Sequence, residues 1–198
     1  MNAKGILAVW NDCSKEYMTE YETWYQSEHL PQRVSVPGFF CGRRYEALTP
    51  GPQFFTYYEV EDPAVLTSLE YLEVLENPTP ATRRIMKYAF LNMNRTVCSR
   101  EVLVDGASGG CAVTLAWTGK APAVLSSESV AKLEPQRVEV WRAASQNNGL
   151  SAEESIRGVG DQKISNAILL EFMREEEALH ASTTIGGQGW RLLATLRS

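Results

Sequence analysis

Residues 24–38 read Trp-Tyr-Gln-Ser-Glu-His-Leu-Pro-Gln-Arg-Val-Ser-Val-Pro-Gly, and they bring together two aromatics, a carboxylate, an arginine and one of only 2 histidines in the chain. His29 has a side chain that ordinarily titrates near neutrality. Its imidazole can therefore take or give a proton at an activated carbon or a leaving hydroxyl without a cofactor. Tyr25, one helical turn earlier, stacks on the same face and can hydrogen-bond a substrate oxygen, whereas Trp24 lies slightly off that face and would form a wall. The plainer alternative makes His29 a cap for the helix C-terminus, where an imidazolium suits the last carbonyls. Glu28, its helical neighbour, points about 100° away and reads as solvated.

An anionic substrate would also need a cation. Arg43, Arg44, Arg83 and Arg84 are the candidates, because a guanidinium grips a carboxylate bidentately; the competing reading is solvated surface arginine. Arg44 and Arg83, with Trp24, are the expected substrate-binding residues. Tyr57 and Tyr58 alternate across one strand, so one of them faces the inner side of the sheet, and Tyr58 is chosen because it shares a face with Phe54 and Thr56. The second histidine, His180, lies among Glu175-Glu176-Glu177 and Ser182-Thr183-Thr184 and reads as exposed. Two distant histidines make no zinc site, and Cys13, Cys41, Cys98 and Cys111 lack paired spacing, so reduced, mostly buried thiols, no metal and no cofactor are expected. Gly186-Gly187-Gln188-Gly189 follows a helix and precedes a strand, the reverse of a nucleotide loop, and is a turn.

The elements that must position these groups follow from periodicity. A strand at 5–10 leads into a helix from Ser14, whose stripe of Tyr17, Tyr21, Trp24 and Tyr25 faces the core and which should end near Leu30, before Pro31. Strands at 39–46 and 53–60 form a hairpin. Asp62-Pro63 opens a second helix, a short helical piece follows at 82–90, and a strand at 96–104 closes a β-α-β-β-α-β unit. After the small-residue linker 106–110 the pattern repeats more faintly: strand 111–117, weak helix 122–133, strand 136–144, a polar loop to Gly160, strand 165–173, helix 174–182 and strand 190–196. Two fused units result, residues 1–105 with the site and residues 106–198 as a degenerate copy. Each four-stranded sheet would leave one apolar face bare unless the other covered it. The expected class is therefore α+β, two ferredoxin-like units packed sheet to sheet as an α/β barrel.

Net charge is −5 over 198 residues, with no basic footprint for nucleic acid and no apolar run of membrane-spanning length. The chain reads as soluble and cytoplasmic, with no nucleic-acid or membrane partner.

With Trp24-Tyr25, Glu28-His29-Leu30-Pro31, Val36-Pro37-Gly38-Phe39 and Arg43-Arg44-Tyr45 in place, the sequence resembles the dimeric α/β-barrel superfamily, and within it the EthD-like members. The resemblance covers the first half well and the second only as an echo of the fold. It implies that His29 faces a pocket between the sheet and the first helix. The second half has no counterpart to this motif, so one site per chain is expected, with the second half as wall or lid. The superfamily holds dehydratases, decarboxylases, isomerases, cyclases, monooxygenases and haem enzymes, the last using a helix histidine, a role for which His180 is the rival candidate. The expected activity is a cofactor-independent lyase or isomerase acting on a small carbonyl-activated or aromatic metabolite. The alternatives are a cofactor-free monooxygenase or a non-catalytic small-ligand-binding protein, and a homodimer is a further expectation.

Overall fold

A computed structural model describes residues 3–145, 151–158 and 160–198. Eight antiparallel strands close into one barrel: β1 Gly5–Cys13, β2 Phe39–Ala47, β3 Phe54–Val60, β4 Phe90–Asp105, β5 Cys111–Trp117, β6 Arg137–Ala143, β7 Asn166–Phe172 and β8 Gln188–Arg197. Around the barrel the order is β1-β3-β2-β8-β5-β7-β6-β4, so the arrangement β4-β1-β3-β2 recurs as β8-β5-β7-β6. The expected α+β barrel is therefore present. The sheets are zipped edge to edge at both seams, β2 to β8 from Cys41↔Arg197 onward and β4 to β6 from Cys98↔Ala143 onward, which leaves no outer strand of the barrel unpaired.

Strand alternation sorts each side chain to one side of this wall. The interior takes residues from all eight strands, among them Trp10, Tyr45, Phe55, Tyr57, Trp141, Leu169 and Trp190. It is a filled core, with Phe55 5.3 Å from Trp190 and Tyr57 5.3 Å from Trp141, ring centre to ring centre. Two ionic clusters share this interior. Glu171 accepts from Arg43, from Tyr57 at 3.0 Å and from the Gly109 amide at 3.2 Å. Glu139 accepts from Arg100, Arg137 and Trp141.

The outer face of the first four strands is covered by helices. After a 3-10 turn at Lys15–Tyr17 come α1 Met18–Trp24, a π turn Tyr25–His29 and α2 Leu30–Val34, as one continuous run. The expected stop at Pro31 is thus wrong, and the π turn explains why. The Leu30 amide bonds back to the Tyr25 carbonyl, five residues away, and this widened turn sits where an α-helical register would drive the proline ring into a carbonyl. The run stops at the 35–38 turn, where Gly38 adopts φ +86° against Val65 and a Cβ would meet that side chain at 2.7 Å. Asp62 caps a 3-10 turn at Pro63–Thr67, Ser68 caps α3 Leu69–Glu76, and Thr79 caps α4 Pro80–Tyr88.

In the second half the first helix shrinks to α5, Ser127–Ala131, and α7, Glu175–Ile185, packs on β5, β7 and β8. The stretch expected to be a polar loop contains α6, Ala152–Arg157, capped by Ser151; residues 146–150 of that stretch lie outside the described residues. This helix leaves its own half and packs on α3 and α4 of the first. All four cysteines are free and buried. Among the described residues no helix is long and apolar enough to cross a membrane.

Candidate active site

One turn of π helix and the turn after it aim Tyr25, His29 and Arg33 into the gap between the helices and the outer face of β1 and β3. The spacing of four between these residues carries them along one face of the run. His29 is 8% exposed, with its ring 4.3 Å from Trp24 and 5.0 Å from Tyr25, centre to centre. Tyr25 donates to Thr56 at 2.9 Å and lies 3.5 Å from the Tyr58 hydroxyl. Tyr58 therefore faces the helices, on the side of the sheet where His29 lies.

The cavity beside these groups is lined by Leu7, Val9, Tyr25, His29, Arg33, Tyr58, Tyr71, Leu75, Met86, Phe90, Met93 and Arg95 from the first half, and by Ser151, Glu153, Glu154, Arg157 and Asp161 from the second. Its volume is about 30 Å³, room for a water but far below the roughly 300 Å³ of small ligand pockets. The α6 segment closes it. Glu153 pairs with Arg33, Arg157 with Asp161 at 2.7 Å, and Gln162 exchanges backbone hydrogen bonds with Met93 and Arg95 of β4.

Burial first, and then the positive charges of Arg33, Arg44 and Arg157, hold the His29 imidazole well below its ordinary value of 6.5. The ring is neutral through the physiological range, and its Nδ1 has no hydrogen-bond partner among the described residues. The sequence expectation of a histidine titrating near neutrality is corrected accordingly. A stability consequence follows. As pH falls through about 6.5, the unfolded chain protonates His29 and the native chain does not, so native stability is retained above that pH and drops below it. Thermal melts from pH 7.5 to 5 should show this decline in the wild type and a shallower one in His29→Phe. Parallel curves would contradict the burial-driven shift.

Of the other sequence candidates, Trp24 is buried, with its indole nitrogen donating to Thr82 at 3.1 Å and to Glu28 at 3.3 Å. Glu28 is not solvated as expected: it accepts from Thr79 and Thr82 and ties the first helical run to the N-terminus of α4. Arg44 is 1% exposed but lies outside the cavity lining, bonded to Glu22 at 2.7 and 3.0 Å and stacked 4.0 Å over the Tyr25 ring. It supports Tyr25 from behind. Arg83 is exposed and bonds the Pro78 carbonyl, away from the cavity, because its position on α4 points outward while Thr82 and Ile85 point in. Arg43 lies inside the barrel and Arg84 on the surface with Glu20.

Sequence reasoning missed Arg33, Tyr71, Arg95 and the whole α6 contribution. Arg33 carried a usable signal, the Tyr25-His29-Arg33 spacing, which ending the helix at Leu30 concealed. A larger cavity of about 550 Å³ lies under α5, but its lining includes no histidine or tyrosine and its polar side chains are Ser127, Glu134 and Arg142. His180, the rival candidate, is exposed on α7, among the acidic and hydroxyl side chains of its own helix, and His29 lies between the Trp24 and Tyr25 rings. Among the described residues no group of three or more His, Cys, Asp or Glu is arranged to hold a metal.

The fold and this helix-to-sheet cavity place the chain among α+β barrels built from eight antiparallel strands with helices outside. Solved structures of that shape include a candidate monooxygenase from Fusobacterium nucleatum, at 9% identity and TM-score 0.56 over 100% of this chain and 96% of that one. A candidate chlorite dismutase matches at 11% identity and TM-score 0.52, over 98% and 96% of the two chains. An anthrone oxidase-like protein matches at 8% and 0.52, over 100% and 94%. These likenesses establish the fold. No protein-family model and no curated protein matches the sequence.

Proposed function

We propose that the chain is a cofactor-free oxygenase acting on a small aromatic carbon acid, with His29 as the base. The observation that carries this reading is the neutral, buried imidazole whose Nδ1 has no partner among the described residues, set against two phenols and beside guanidinium groups. His29 would take a proton from a methylene activated by a neighbouring carbonyl. Tyr25 or Tyr58 would donate to the carbonyl oxygen as it becomes an enolate, and the positive field of Arg33 and Arg95 favours that charge. An electron-rich enolate can pass an electron to dioxygen and then combine with it. Loss of water from the resulting hydroperoxide gives the ketone, so that one methylene and one dioxygen become one carbonyl and one water. Dioxygen is the sole oxidant and no outside reductant is required. The names carried by the monooxygenase-like and anthrone oxidase-like structures support this reading, as does the EthD-like motif around His29.

The same proton abstraction would begin a lyase or isomerase reaction, and the fate of the enolate separates the two. A panel of carbonyl-activated aromatic carbon acids should be screened in an oxygen electrode cell. The expected result is consumption of one dioxygen per substrate, absent under nitrogen and lost in His29→Gln. Turnover that continues without oxygen would replace the oxygenase reading with the lyase or isomerase one.

A further inference from the structure

The charges lining the His29 cavity are divided by element. Among the described residues, the walls contributed by the first half carry two guanidiniums, Arg33 and Arg95, and no carboxylate; Glu153, Glu154 and Asp161 all come from the α6 segment, with Arg157. Arg33 and Arg95 flank Tyr71, at 5.8 and 5.9 Å from its ring centre, and Arg95 donates to the Tyr71 hydroxyl at 2.8 Å. Arg33 is 2% exposed, Glu153 is 5% exposed, and they pair across 120 residues of sequence. Even so, Arg33 keeps one buried nitrogen, Nη1, without a partner among the described residues. A cation held this deep needs a counter-charge, and the only carboxylate bonded to it among the described residues sits on the element that must move before a ligand can enter about 30 Å³.

We infer that Arg33 is the seat of a carboxylate on the substrate, and that Glu153 occupies this seat while α6 is closed. The inference rests on the His29 cavity being the substrate site and adds a ligand class to it, a small aromatic acid. The ring of such an acid lies over Leu7, Val9, Met86 and Phe90, its carboxylate replaces that of Glu153 on the Arg33 fork, and its reacting carbon comes within reach of His29, one turn away. Displaced Glu153 returns to water with α6. The closed segment is thus a built-in competitor, and affinity for the acid is reduced by the fraction of chains in which α6 is shut.

The test is calorimetric titration with naphthoate and with its neutral isostere naphthamide, using the wild type, Glu153→Gln, and the doubly substituted Arg33→Gln/Glu153→Gln, in which both charges are gone together. Naphthoate is expected to bind Glu153→Gln at least about tenfold more tightly than the wild type, naphthamide to change little, and the double variant to lose the preference for the acid. An equal gain for acid and amide, or no naphthoate binding to folded Glu153→Gln, overturns the inference. Should Glu153→Gln not fold, Glu153→Asp withdraws the competing carboxylate by one methylene and must show the same preference more weakly; equal binding of both probes there overturns it as well. Naphthoate binding that survives His29→Phe, in a protein that turns over no carbon acid, would remove the oxygenase reading and leave the carboxylate seat standing. Carbon-acid turnover indifferent to Arg33→Gln/Glu153→Gln would do the reverse.

Discussion

Glu171→Ala is expected to lower stability by about 3–5 kcal/mol, the usual result of stripping one partner from a buried ion pair. For a chain of this size that corresponds to a Tm lower by roughly 6–20 °C. Glu171 is fully buried inside the barrel and accepts from Arg43, Tyr57, Tyr45 and the Gly109 amide. Truncating it leaves the Arg43 guanidinium in an aromatic interior with only the Gly109 carbonyl and a long contact to Tyr57. Urea unfolding reads the loss as a shift of midpoint. The pair Arg43→Met/Glu171→Leu should recover much of it, since two apolar groups remove the uncompensated charge. A single-variant loss below about 1 kcal/mol would show that the interior admits water, since exposed pairs are worth no more than that.

His29→Phe should separate chemistry from packing. Phenylalanine keeps the stacking on Trp24 and Tyr25, removes a buried nitrogen that has no partner among the described residues, and has about 30 Å³ beside it for the larger ring. Tm at pH 7.5 should be unchanged or higher, because replacing an unsatisfied polar group by an apolar one is neutral or favourable. Turnover should fall by about 10²–10⁴, the range for loss of a general base, with KM little altered. In the wild type, kcat/KM should be flat across neutrality and fall only in acid, because burial keeps the imidazole unprotonated down to well below 6.5. A parallel fall of Tm and activity in His29→Phe would assign the residue to packing alone.

The barrel was legible because most of its strands are short, apolar and punctuated by turns, and because Pro37-Gly38 precedes the hairpin and Thr49-Pro50-Gly51-Pro52 turns it. The His29 face was legible through the spacing of Tyr25 and His29. What escaped notice depended on long-range partners. Pro31 is a local stop signal overridden by a π turn whose Tyr25 and His29 rings pack on Trp24 and on each other. Arg44 and Arg83 look alike in sequence, and only the fold shows one pinned to Glu22 and Tyr25 and the other in solvent. The α6 segment is polar because it is itself the charged wall of a cavity belonging to distant residues, so its composition imitates that of a loop. The early part of β4, with Asn92 at φ +49°, is too polar to read as strand until its pairing with β1 is seen.

The seam between β2 and β8 joins residues 41–47 to residues 190–197. During synthesis the first four strands emerge with β2 and β4 both open and one aromatic face bare; β4 finds its partner in β6, but β2 waits for β8, the last strand of the barrel. Unpaired edges of this kind recruit other chains, and non-local closure is slow. Yield in a cell should therefore depend on how long that half-built sheet waits, so that shielding by chaperones or slower elongation has more influence on recovery of this chain than the stability of the finished barrel.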